Sequence, residues 1–185
     1  MRHMYPQAAD KPRPNGNSYW LHEHLLAGEY PGASDESEAR AKLRAYLDAG
    51  VDFFVDLTRP GELRPYDDLL RQETAGRGAQ GEYRRLAIAD RGVPRPQAMV
   101  TILDTMDQAV SAGRTVYVHC WGGVGRTGTV VGCYLVRHGH TGDGALAEIE
   151  RIWPTMGKSA WHPRSPETAE QTRFVRDWRE EPKGG

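Results

Sequence analysis

The residue types with most chemistry to offer lie in one stretch, His119-Cys120-Trp121-Gly122-Gly123-Val124-Gly125-Arg126-Thr127-Gly128-Thr129. Three glycines among Gly122, Gly123, Val124 and Gly125 let the backbone curl until successive N–H groups converge on one point, a nest for an anion. A helical pattern follows from about Thr127 to Arg137, and its first turn aims free N–H groups and a positive dipole end at that point. Arg126 adds a planar fork that suits two oxygens of a tetrahedral anion, which Lys would not reproduce. Residues 121 to 126 thus read as the walls of an oxyanion cradle, with Trp121 ahead of the glycines and Val124 among them. Cys120 stands at its mouth, where a helix end and a cation favour a thiolate nucleophile aimed at phosphorus. Thr127 can donate its hydroxyl to the sulfur and ease its departure, and His119 is placed to orient the loop from beneath. The Gly-x4-Gly-Lys-Ser/Thr spacing of a nucleotide loop is absent.

The bland reading is a common one. Gly-rich turns join many strands to helices, and a buried cysteine is usually inert packing. What sets this stretch apart is that strand, cysteine, glycines, arginine and helix all serve one geometry.

Several elements must position it. Thr115–His119 reads as a short strand running directly into the loop. Val51–Leu57 is β-branched and aromatic, a buried strand, and Tyr83–Ile88 is another. Ser18–Leu21 and Leu25–Ala27 give two short strands near the start. Ser34 or Asp35 can cap a helix with Leu43, Tyr46 and Leu47 on one face, stopped by Gly50. A short helix is expected at Tyr66–Thr74. Pro96 opens one carrying Met99, Leu103, Met106 and Val110, which Gly113 ends. Further helices are expected around Leu146, Ile149 and Trp153, and from about Pro166 to Glu180. Strands alternating with helices predict an α/β fold, a central mostly parallel or mixed sheet flanked by helices, with ligands at the carboxyl ends of its strands.

The chain has 185 residues, 38% hydrophobic and 26% charged, with a formal net charge of −1. That suits one domain over residues 18–185, preceded by a Pro-, Gly- and Asn-rich lead-in over 1–17 that reads as mobile. The balanced charge gives no reason to expect nucleic acid or an anionic membrane as partner. The first residues lack the apolar core of a signal peptide, and Val130–Val136 is too short to span a bilayer. Two cysteines make no disulfide framework, so the reducing cytoplasm is the expected location. Cys133 lies seven residues past Arg126, about 10 Å along a helix, beyond the roughly 7 Å reach of a disulfide, and reads as core. His22 and His24, and His138 and His140, lack the company of a metal site and read as surface residues. Trp153, Trp161 and Trp178 are expected to pack the C-terminal helices.

The spacing His119-Cys120-x5-Arg126-Thr127 resembles the signature of the protein-tyrosine and dual-specificity phosphatase superfamily. The likeness extends through Leu26-Ala27-Gly28-Glu29-Tyr30-Pro31 and Val55-Asp56-Leu57-Thr58, and the late position of the loop is similar to that in the dual-specificity group. A rhodanese-type sulfur transferase also uses a cysteine loop, but five residues to Arg126 followed by Thr127 fit phosphate better. The resemblance implies a single-domain cysteine-phosphatase fold that hydrolyses phosphomonoesters through a cysteinyl-phosphate, with no cofactor and no metal. It also implies an aspartic acid that protonates the leaving oxygen and then serves as base for water. Asp90, in Ile88-Ala89-Asp90-Arg91-Gly92-Val93-Pro94, is the best match, although the Trp-Pro-Asp form is absent and the stretch is also good turn sequence. Asp56 is the alternative. Gln171 is a candidate for placing the attacking water, as a glutamine does in some members, though a solvated helix glutamine reads the same way. The loop interior carries no Lys or His, which members acting on inositol phosphates often place there. A phosphoprotein substrate, phosphotyrosine first, is therefore expected, with an inositol phosphate or other small molecule as alternative. A non-catalytic phosphate-binding protein is the rival from outside enzymology. The sequence says nothing of oligomeric state.

Overall fold

Alternation along the strands decides which side of the sheet each layer of helices covers. A computed structural model describes residues 11–180. It contains β1 (Ser18–His22), β2 (Leu25–Gly28), α1 (Glu36–Asp48), β3 (Phe53–Asp56), α2 (Asp67–Ala75), β4 (Glu82–Arg85), α3 (Pro96–Ser111), β5 (Val116–His119), α4 (Gly125–Arg137), α5 (Gly142–Ile152) and α6 (Ala169–Asp177), with two short 3-10 turns at Trp153–Thr155 and Gly157–Ala160. The five strands lie in the order β1-β2-β5-β3-β4. β1 and β2 are antiparallel, and every other neighbouring pair is parallel.

Successive side chains of a strand point to opposite faces. Phe53, Val55, Val116 and Val118 accordingly join one core with Met99, Leu103 and Met106 of α3, Val130 and Val131 of α4, and Ile149 and Val175. Leu26, Phe54 and Tyr117 face the other way, onto Leu43 and Tyr46 of α1 and Leu70 of α2. The result is a mixed sheet between two helical layers. Phe54, Leu26 and Leu43 are wholly buried, and each side chain of this kind contributes about 1.5–3 kcal/mol.

The elements fall close to the sequence expectation, and the differences have local causes. Asp35 is the cap of α1, accepting from the Glu38 N–H at 2.9 Å. The last helix begins at Ala169 rather than near Pro166, because Thr168 and Gln171 form a capping box there. Residues 11–17 do not hang free. Arg13 donates to the Thr155 carbonyl (3.1 Å), Asn15 Nδ2 to the Tyr46 hydroxyl (2.8 Å), and Asn17 Oδ1 accepts from the Lys158 N–H (3.1 Å). Their asparagines bond the chain to the fold where composition suggested slack; residues 1–10 lie outside the described residues. His22 is buried, not on the surface, with Nε2 3.1 Å from the Tyr134 hydroxyl. Trp153 and Trp178 pack inside as expected, whereas Trp161 is 80% exposed. No helix among the described residues is long and apolar enough to cross a membrane.

Candidate active site

Parallel strands bring their carboxyl ends to one edge, and three loops leaving that edge build the site. From β5 comes Cys120, from β3 the loop to Glu62, and from beyond β4 the turn that carries Asp90. The loop after β5 is as tight as its glycines suggest. Gly123 has φ +73, and a Cβ there would lie 2.5 Å from the Gly28 carbonyl carbon. α4 starts at Gly125, two residues earlier than the sequence pattern indicated, so Arg126 and Thr127 both sit in its first turn. Its cap residue, Val124, offers no side-chain hydrogen bond. The first N–H groups of a helix have no partners within it, and here no capping side chain takes them.

Cys120 is 3% exposed at the base of a cavity of about 340 Å³ whose walls include Asp90, Arg126, Trp121, Lys158 and His162. Thr127 Oγ1 donates to Cys120 Sγ at 3.1 Å. His119 is buried beneath. Its Nδ1 lies 3.0 Å from the Cys120 carbonyl oxygen, which only accepts, so Nδ1 carries the proton. Nε2 then accepts from the Tyr66 hydroxyl at 2.6 Å. Burial pushes His119 below its ordinary value and Tyr66 well above its own. Both therefore stay neutral through the physiological range and hold the Cys120 peptide from below, the position the sequence reading assigned to His119.

Arg126, 2% exposed, is held more fully than the sequence indicated. Glu62 takes the Nη1–Nη2 edge, with Nη1 to Oε2 at 2.9 Å and Nη2 to Oε1 at 2.5 Å. Nη1 also donates to the Ile88 carbonyl at 3.2 Å, and Nη2 stands 3.2 Å from Asp90 Oδ1. The Glu62 carboxyl is held below its usual range by the hydrogen bond from Arg126. A guanidinium has five N–H groups. The Nε–H, which has no partner among the described residues, and the Nη2–H facing Asp90 form the edge left for an oxyanion.

Asp56 does not share this site. It is buried, with Oδ1 accepting from the Thr58 N–H (2.8 Å) and hydroxyl (2.6 Å) and Oδ2 from the Tyr83 hydroxyl (2.7 Å). That network leaves it no access to the cavity wall. Gln171 is not on the wall either. It is fully buried, with its amide divided between the cap of α6 and the Gly92 carbonyl, and not solvated on the helix surface.

Several wall or support residues escaped the sequence reading, Glu62, Lys158 and His162 among them. Glu62 lies in a polar stretch with no signal beyond its position after a strand. Lys158, whose Nζ reaches Glu29 Oε2 (2.8 Å) and the Gly122 carbonyl (3.3 Å), comes from a 3-10 turn far along the chain. His162 follows it onto the cavity wall. Only the fold brings them to the loop.

The family described as the Swiss Army Knife DSP-PTPase phosphatase domain matches residues 17–183. The chain belongs to this family of phosphatases. A mouse protein tyrosine phosphatase domain-containing protein 1 is 30% identical over 126 residues, 64% of this chain and 17% of that protein. The phosphatidylglycerophosphate phosphatase PTPMT1 of Arabidopsis thaliana is 37% identical over 138 residues, 72% of this chain and 36% of that protein. The chain thus spans well under half the length of either. Among solved structures, the active form of Tk-PTP superposes with a TM-score of 0.69 at 23% identity, covering 87% of this chain and 95% of that one. That likeness carries the fold.

Proposed function

We propose that this phosphatase hydrolyses phosphomonoesters through a phosphorylated Cys120, with phosphotyrosine in proteins as its preferred substrate. The observation that carries the reading is that one cavity holds the sulfur at its base, the open edge of Arg126 beside it and the Asp90 carboxylate 3.2 Å from that edge. Cys120 Sγ forms a bond to phosphorus as the ester oxygen leaves, and Asp90, which takes a proton from solvent as substrate binds, passes that proton to the leaving oxygen. Water then attacks phosphorus with Asp90 accepting its proton, and sulfur departs as thiolate with the Thr127 hydrogen bond in place. Loop amides and Arg126 neutralise the equatorial oxygens throughout, which is electrostatic stabilisation by dipoles already in position.

Two features support an aromatic ester. The sulfur is deep, and Trp121, 62% exposed on the cavity wall, offers an indole face to the ring of a leaving group. The second reading, a small-molecule or lipid phosphate with a further anionic group, is favoured by Lys158, His162 and Arg91 on the wall. The name of the Arabidopsis relative points the same way. Phosphate release from a phosphotyrosine peptide, a phosphothreonine peptide, phosphatidylglycerophosphate and an inositol phosphate separates the readings. A kcat/KM highest on the phosphotyrosine peptide supports the first, and one highest on a multiply charged phosphate overturns it.

A further inference from the structure

Arg91 is the one non-glycine residue with positive φ among the described residues, at +57, and it follows Asp90 directly. Such a conformation persists only where the surroundings impose it, and it is concentrated at functional sites. Two ties impose it here. Arg91 Nη1 pairs with Glu167 Oε1 at 2.6 Å, and the next carbonyl, that of Gly92, accepts from Gln171 Nε2 at 3.1 Å. The Arg91 side chain is 64% exposed, so solvent weakens the first tie. Gln171 is fully buried, so the second is the stronger.

Both ties come from a single turn. Gln171 Oε1 accepts from the N–H groups of Glu167 (3.2 Å) and Thr168 (3.0 Å), which ends the turn and caps α6 in the same contact. The turn also grips the phosphate loop. Ser165 Oγ donates to the Val124 carbonyl at 2.7 Å, and a Cβ on Gly125 would meet the Gln171 amide at 2.9 Å. Residues 165–171 therefore touch the loop of the nucleophile on one side and the loop of the acid on the other.

We propose that Gln171 and Glu167 are positioning residues, a clasp that sets the distance of Asp90 from Cys120 by holding the Arg91–Gly92 turn against the α6 cap. The proposal rests on Asp90 being the acid. The test uses a substitution that separates clasp from cap. Gln171→Glu keeps the acceptor oxygens that the capping box needs but replaces the donor to Gly92 with a carboxylate facing a carbonyl.

A displaced acid matters most when the leaving group is poor. Kinetics on phenyl phosphate and on 4-nitrophenyl phosphate, whose phenolate leaves with little help, give the readout. We expect Gln171→Glu to lower kcat on phenyl phosphate about ten-fold more than on 4-nitrophenyl phosphate, a fraction of what a general acid supplies. It should add nothing further to that ratio in an Asp90→Ala background. Glu167→Gln, which breaks the weaker tie on a partly exposed side chain, should give a smaller change in the same direction, and it carries the test if Gln171→Glu does not fold. If Asp90→Ala shifts the ratio and neither clasp variant does, the clasp is wrong. If Asp90→Ala leaves the ratio unmoved, the assignment of the acid fails instead.

Discussion

Removing the Asp90 carboxylate should move catalysis and anion binding in opposite directions. Asp90 Oδ1 lies 3.2 Å from Arg126 Nη2, and its side chain is 60% exposed. Glu62 already occupies the other edge of the guanidinium. A dianion that takes the two-pronged Nε–Nη2 edge must therefore use the Nη2–H that now faces Asp90. Two like unit charges about 4 Å apart repel by about 1 kcal/mol in bulk water and about 4 kcal/mol near a protein surface. The exposure of Asp90 selects the lower part of that range. Asp90→Ala should then tighten binding of tungstate or inorganic phosphate by about 1–2 kcal/mol, a factor of roughly 5–30. The same substitution removes the proposed proton donor, so kcat on phenyl phosphate should fall by about 10²–10⁴. Isothermal titration with tungstate and steady-state kinetics measure the two effects on one preparation. A tungstate Kd that is unchanged or weaker in Asp90→Ala refutes the competition for Arg126. An undiminished kcat moves the acid to another residue.

Other expectations follow from equally local features. Gly123→Ala places a side chain at φ +73 and 2.5 Å from the Gly28 backbone; the conformation alone costs about 1–3 kcal/mol, and both melting temperature and tungstate binding should drop. Thr127→Ala removes the 3.1 Å donor to Cys120 Sγ; a hydrogen bond to a charged group contributes about 1.5–3 kcal/mol, so the second step should slow about 10- to 100-fold and a burst of phenol should appear in stopped-flow traces. Burial, with the nearby charges of His138 and His24, pushes His22 down to about 4 from an ordinary 6.5. A histidine with a lowered value in the folded state stabilises the fold above its unfolded value, and that contribution is lost as pH falls from about 6.5 toward 4. Melting curves should show stability falling across that window, with a shallower slope for His22→Gln.

How much of this could be read in the sequence depends on the range over which each feature is encoded. The Cys120–Thr127 loop was legible because its glycines, arginine and flanking strand and helix act within eleven residues. Strands and helices followed from period and caps, and the two faces of the sheet from alternation. Asp90 was legible as a turn aspartate near a strand end, but its contact with Arg126 was not. Glu62, Lys158 and His162 were invisible for the same reason: each reaches the loop only through tertiary packing. Gln171 shows the converse. The resemblance offered it for placing water, with a solvated helix glutamine as the alternative; the fold buries it and bonds its amide to the α6 cap and the Gly92 carbonyl. At residues 11–17 composition misled because Asn and Gly mark both loose chain and polar anchors, and only their partners, Tyr46 and Gly157, distinguish the two.

Catalysis as proposed turns on Cys120 carrying the phosphoryl group. Acid quench of the protein during turnover of a radiolabelled phosphotyrosine peptide, followed by peptide mapping, tests this directly. The label should be found on the peptide containing Cys120 and be lost in Cys120→Ser. Turnover with no protein-bound label, with the Thr127→Ala protein used to let it accumulate, or label on a different residue, would contradict it.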